Sequence, residues 1–163
     1  MHEGRCACSH VRFELESEPM FVHCCHCTWC QRESGSAYAL NALIESDRVR
    51  LLEGEVEEID TPTQSGKGQL VARCPRCKVA VWSHYAYAGI GELIRFVRVG
   101  TLDDPTSVPP DIHIFTESKQ PWVVLSSDAP VMPGYYKASE HWSPASLERR
   151  AALFASKSDR NSS

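Results

Sequence analysis

Cys24-Cys25-His26-Cys27-Thr28-Trp29-Cys30 is the stretch on which the reading of this chain turns. Cys25, Cys27 and Cys30 are spaced so that one tight turn brings their sulfurs to a common point. Two further clusters repeat the theme, Cys6-Ala7-Cys8 and Cys74-Pro75-Arg76-Cys77, and none of the eight cysteines lies beyond residue 77. In such turns neighbouring thiolates converge on one ion at about 2.3 Å but rarely reach disulfide geometry with each other. The N-terminal Met-His-Glu-Gly-Arg-Cys has no apolar core like that of an export signal, so a cytoplasmic protein with reduced thiols is expected, where clustered cysteines ligate metal. Zinc is the expected ion.

Outward from the clusters the chain reads as mainly β. His10-Val11-Arg12-Phe13-Glu14-Leu15-Glu16 alternates apolar and polar side chains, the period-two signature of a half-buried strand. Short β-branched or aromatic runs follow at 20–24, 38–44, 49–52, 56–59, 70–73, 79–85 and 93–99, separated by turn formers such as Ser65-Gly66-Lys67-Gly68. A last extended pair is expected over 112–115 and 122–125. One or two helical turns fit 28–35, ended by Gly35. The clearest helix comes late, about 144–155, with Ser143 as cap, Pro144 in the first turn and Leu147, Ala151 and Phe154 along one side. These signals divide the chain into a β domain over 1–135 and an extension over 136–163 whose tail, 156–163, is expected to fray.

The 163 residues, 42% hydrophobic and 23% charged, suffice for one globular domain with its own core. A net charge of -4 argues against a phosphate-backbone binder, so no nucleic-acid partner is expected. No run of about 18 apolar residues occurs, and no membrane partner is expected either.

The clusters can be paired in more than one way. Cys6 and Cys8 can join Cys74 and Cys77 in a closed site, leaving Cys25, Cys27 and Cys30 as a three-thiolate site with an open position; or Cys27, Cys30, Cys74 and Cys77 can form a ribbon. Cys24 and Cys25, adjacent in an extended segment, point to opposite faces and should not share a site. A closed site stabilises, whereas an open one can bind substrate.

These residues resemble the glutathione-dependent formaldehyde-activating enzyme family, which includes a domain of centromere protein V. The resemblance rests on Gly4-Arg5-Cys6-Ala7-Cys8, on Cys25-His26-Cys27-Thr28-Trp29-Cys30 followed by Ser34-Gly35, and on Cys74-Pro75-Arg76-Cys77. Gly100-Thr101-Leu102-Asp103-Asp104-Pro105 and Asp111-Ile112-His113-Ile114 with Trp122 add to it. It implies a twisted β-sandwich with zinc knuckles, of the type shared with the Rab nucleotide-exchange chaperone and methionine sulfoxide reductase B. It also implies two zinc ions per chain, a structural one on Cys6, Cys8, Cys74 and Cys77 and a second on Cys25, Cys27 and Cys30. The implied activity is a carbon-sulfur lyase acting on a small thiol such as glutathione and an aldehyde, formaldehyde in the family. The chain departs from the family pattern at Ser9 and Lys78, where glycine is usual, and at Gln31, where a basic residue is usual.

An open three-cysteine zinc lowers the pKa of an incoming thiol and holds it as the nucleophile for an aldehyde. Arg32 and Trp29 are the candidate substrate contacts, and His26 is a candidate for proton transfer. Cys24 reads as a small buried hydrophobe, His84 and His113 as satisfied core histidines, and Asp103-Asp104-Pro105 as turn chemistry. The alternative function is a non-catalytic zinc module that carries a thiol or binds a protein partner.

Overall fold

Period-two alternation around the central cysteines builds two sheets. The computed structural model describes residues 1–63, 65–85, 91–125 and 128–161. Strands β1 (His2–Arg5), β2 (Arg12–Leu15) and β5 (Val49–Glu53) form an antiparallel three-stranded sheet in the order β1-β2-β5. The larger sheet takes β3 (Phe21–Cys25), β4 (Ala39–Glu45), β6 (Glu57–Thr61), β7 (Gln69–Arg73), β8 (Ala80–Tyr85), β9 (Ile94–Arg98) and β10 (Ile112–Ile114) in the order β10-β3-β4-β9-β8-β7-β6. Its pairs are antiparallel except β10 beside β3.

Val11, Phe13 and Leu15 are fully buried, and they pack against Ala42, Ile44, Val81, Trp82 and Val97 on the facing side of the large sheet. Phe13 meets Trp82 edge to face at 5.4 Å, a contact worth about 1 kcal/mol beyond its area. Gly4 in β1 lies under this ring: a Cβ there would stand 2.5 Å from Phe13 Cζ and 2.8 Å from the Thr101 carbonyl oxygen. The glycine that opens the first cysteine motif is therefore a packing requirement of the sandwich.

The opposite face of the large sheet carries Phe21, Cys25, Leu43, Ile112 and Ile114, covered by Tyr136 and Trp142 of the C-terminal segment. There α2 (Ala138–His141) leads into α3 (Pro144–Asn161). Ser143 caps α3 by accepting from the Ser146 amide at 3.1 Å, as its sequence position suggests. Arg149 pairs with the buried Glu45 and donates to the Glu18 carbonyl, and Ser146 donates to the Met20 carbonyl. These contacts set the rotation of α3, so Leu147 and Leu153 turn toward the sheet while Ala151 and Phe154 are exposed, unlike the stripe expected. The helix also runs six residues past the expected 155, because no glycine or proline follows Pro144 to stop it; 162–163 lie outside the described residues.

Three other expectations are corrected. Residues 122–125 are not a strand. Lys119 Nζ donates to the Gln120 and Val123 carbonyls, the Val123 amide returns to Gln120, and Trp122 and Val124 stand 71% and 84% exposed. The edge of β10 that this run would have paired is taken by 130–132, through His113 N to Pro130 O and Met132 N to His113 O. Strand β10 ends one residue early because Phe115 is left-handed, at φ 54. Finally β1 and α2, polar and short, carry no periodic signal and are found only in the fold.

Candidate metal centres

Two hairpin turns of the same form present the first centre. In one, the Ser9 amide donates to the Cys6 carbonyl and the Cys6 amide to Val11; in the other, Lys78 donates to Cys74 and Cys74 to Val79. Each turn needs a left-handed residue after its second cysteine, and Ser9 (φ 58) and Lys78 (φ 62) supply it. The Sγ atoms of Cys6, Cys8, Cys74 and Cys77 lie within 4.8 Å of one another. Cys6 to Cys8 is 3.6 Å and Cys8 to Cys74 is 3.7 Å. The edge of a zinc tetrathiolate tetrahedron is about 3.8 Å for Zn–S near 2.3 Å, so the donor set fits zinc. Backbone amides of Val11 and Arg76 donate to Cys6 and Cys74 sulfurs at 3.3 and 3.4 Å, and the neighbouring Val79 amide draws the Cys77 thiol down to about 6. Both interactions favour thiolate.

The second centre follows from the end of β3. Cys25 closes the strand, and Cys27 is the N-cap of α1 (Thr28–Ser34), its sulfur accepting from the Cys30 amide at 3.3 Å. One helical turn thus carries Cys30 back to Cys27, and the three sulfurs lie within 4.8 Å of one another. Gly35, at φ 66, closes the helix with its amide on the Gln31 carbonyl. Gln31 Nε2 donates to the His26 and Ser118 carbonyls, while its Oε1 accepts from Gln120. This amide locks the cysteine turn to the 116–120 loop. Hydrogen bonding to Cys27, then to Cys30, and burial push the Cys25 thiol far above its ordinary range, and the bond from Cys25 pulls Cys27 down. Metal ligation by cysteine requires thiolates, so a thiophilic cation bound to the three sulfurs would displace their protons.

This trio forms one wall of a cavity of about 370 Å³ on the outer face of the large sheet. Alternation from Cys25 explains the rest of the lining: His23 from β3, Asn41 from β4, Ser83 and Tyr85 from β8, Phe96 and Arg98 from β9 all project to that face. Phe115, Tyr135 and Trp29 close it. Arg98 is held by Glu33 Oε2 at 2.9 Å and by Asn41, and Glu33 Oε1 also takes Arg73 at 2.7 Å. The bond with Cys25 lowers the Cys30 thiol, but the bond with Cys27, burial and the Cys27 charge push it up to about 12 against the opposing pull of the Arg98 charge. Tyr85 is kept protonated first by burial, and the Cys30, Cys27 and Cys25 charges act in the same direction. His23 is buried, accepts or donates at 2.5 Å to the Tyr136 hydroxyl, and is pushed down to about 3 by burial, so it stays neutral.

The structure brings Trp29 to the cavity, whereas Arg32 is exposed on α1 and does not line it. Arg5 pairs with Asp103 at 3.0 Å, and Asp104 caps the short turn at Pro105–Ser107. His84 donates from Nδ1 to the Ile94 carbonyl. His26 is fully buried and turned to the other side of the segment, with Nε2 3.5 Å from Cys24 Sγ and 3.2 Å from His113 Nδ1. His23, Glu33, Asn41, Tyr85 and Arg98 escaped the sequence reading; His23 shares the parity of Cys25 on β3, whereas Asn41, Tyr85 and Arg98 are placed by the sheet register and Glu33 by helix α1.

The fold and its sulfur clusters define a mainly β protein whose cysteine groups could hold metal ions. Residues 1–118 match the glutathione-dependent formaldehyde-activating enzyme family model, and the chain belongs to that family. No curated protein matches the chain. A Rhodobacter sphaeroides protein of known crystal structure is similar to it, at 16% identity and a TM-score of 0.49, over 79% of this chain and 98% of that one.

Proposed function

We propose that the protein is a zinc-dependent carbon-sulfur lyase that forms or cleaves an S-hydroxymethyl thiol adduct, using two zinc ions per chain in a reducing, cytoplasmic setting. The observation that carries this reading is that Cys25, Cys27 and Cys30 face a cavity with no fourth histidine, cysteine or carboxylate joining their group among the described residues. When bound there, zinc supplies positive charge that holds a guest thiol as thiolate. The chain's own residues do the rest. The aromatic walls, Trp29, Tyr85, Phe96, Phe115 and Tyr135, exclude water and hold the small carbonyl compound against the sulfur. As the S–C bond forms, the carbonyl π pair moves to oxygen; the Arg98 guanidinium, steadied by Glu33 and Asn41, and the neutral Tyr85 hydroxyl are the donors available to that oxygen. The proton lost by the thiol on docking balances the proton gained by the alkoxide, so no net acid or base is consumed.

Glutathione and formaldehyde are the substrates the family name supports. The test is exchange between glutathione and formaldehyde followed by NMR at catalytic amounts of zinc-loaded protein. Exchange faster than in buffer is expected; unchanged exchange with glutathione still bound would make the protein a carrier.

A further inference from the structure

The buried side of the central motif holds a second set of soft donors that the lyase reading does not use. Parallel pairing of β10 with β3 sets His113 opposite Cys24 and Ile114 opposite Cys25. Alternation then sends Cys25 and Ile114 to the cavity, and Cys24 and His113 together to the other face, where His26 joins them. The three ligating atoms lie within 4.8 Å of one another, and the residues are 3%, 0% and 6% exposed.

We propose that Cys24, His26 and His113 form a buried site for one monovalent copper ion. A metal about 2.0 Å from imidazole nitrogen and about 2.3 Å from thiolate sulfur spaces its donors about 3.3–3.7 Å apart; here the spacings are 3.2 Å between the imidazoles and 3.5 Å from His26 to Cys24. Both contacts converge on one His26 atom, Nε2, the nitrogen that a single ion would share with Cys24 Sγ and His113 Nδ1.

Charge selects the ion. One thiolate and two neutral imidazoles give -1, so Cu(I) makes a neutral centre in a dry interior while Zn²⁺ would leave +1 there. No fourth cysteine, histidine or carboxylate joins the group among the described residues; zinc prefers four donors, and a thiolate with imidazoles suits copper. Binding exchanges the Cys24 thiol proton for the metal, one proton per copper, with no change of oxidation state. The site is independent of the lyase reading, since its ligands face away from the cavity.

The test is anaerobic titration of the zinc-loaded full chain with Cu(I) buffered by bicinchoninate, with zinc release followed in parallel. One copper per chain without zinc release is expected, with one sulfur and two nitrogens at the copper absorption edge. Cys24→Ser, nearly isosteric, and His113→Gln should each weaken copper retention by about 100-fold or more while zinc content and thermal melting stay as in the parent. Copper uptake matched by zinc release, or uptake unaltered by Cys24→Ser, would overturn the site. A third zinc lost on Cys24→Ser would overturn the choice of ion.

Discussion

At the scale of single residues, the two knuckle turns show what their backbone requires. Ser9 and Lys78 keep the left-handed backbone that glycine would adopt without strain, at φ 58 and 62. Ser9→Gly should therefore raise stability, by about 0.5–1 kcal/mol after glycine's own chain-entropy cost; urea unfolding of the metal-loaded protein reads this, and a loss of stability would mean that the Ser9 side chain contributes more than its backbone costs. Gln31 shows the converse, a side chain that holds its turn through three hydrogen bonds. The cysteine clusters were legible from their spacing, which left two pairings open; the family resemblance implied the grouping in which the sulfurs lie together. Tyr85 and Arg98 were not, since a tyrosine and an arginine in a strand carry no chemical signature until the register is known. Tyr85→Phe should lower kcat for adduct formation by about 100-fold with little change in thiol affinity; an unchanged kcat would remove the hydroxyl from the mechanism.

At the scale of elements, helix α1 matters because it carries two of the three cavity sulfurs at or near its first turn. Glu33 ties it to β7 and β9 through Arg73 and Arg98, with the Glu33 side chain 10% and the Arg98 side chain 14% exposed. Glu33→Ala leaves two cations without their carboxylate and should cost about 3 kcal/mol in denaturant unfolding; a cost under about 1 kcal/mol, that of an exposed pair, would contradict this role. Strand signals survived in the fold wherever a partner edge was free. They failed at 122–125, where Trp122-Val123-Val124-Leu125 has the right side chains but 130–132 holds the edge. Helix α3 was legible in its cap and not in its rotation, because Arg149 to Glu45 is a tertiary contact invisible to periodicity.

At the scale of the whole molecule, the large sheet separates a sandwich core from a cysteine-lined cavity, and a buried histidine of β8 gives its stability a pH signature. Burial first, and then Arg95, hold His84 below its ordinary 6.5. The unfolded chain takes up a proton there as pH falls, while the folded chain stays neutral. Stability should thus fall below about pH 6.5 with a slope of up to about 1.4 kcal/mol per pH unit from this residue. His84→Gln should shrink, without abolishing, the difference between urea curves at neutral and mildly acid pH, since burial holds His23 down as well; an unchanged difference would remove His84 from the effect. The central claim, a metal on Cys25, Cys27 and Cys30 with room for a guest sulfur, is tested most directly by ¹¹³Cd NMR of the cadmium-substituted protein. One four-sulfur resonance that ignores added thiol, and a second, upfield, that moves toward the four-sulfur region as thiol is titrated in, is the expected result. Two four-sulfur resonances present from the start and unmoved by thiol would contradict it.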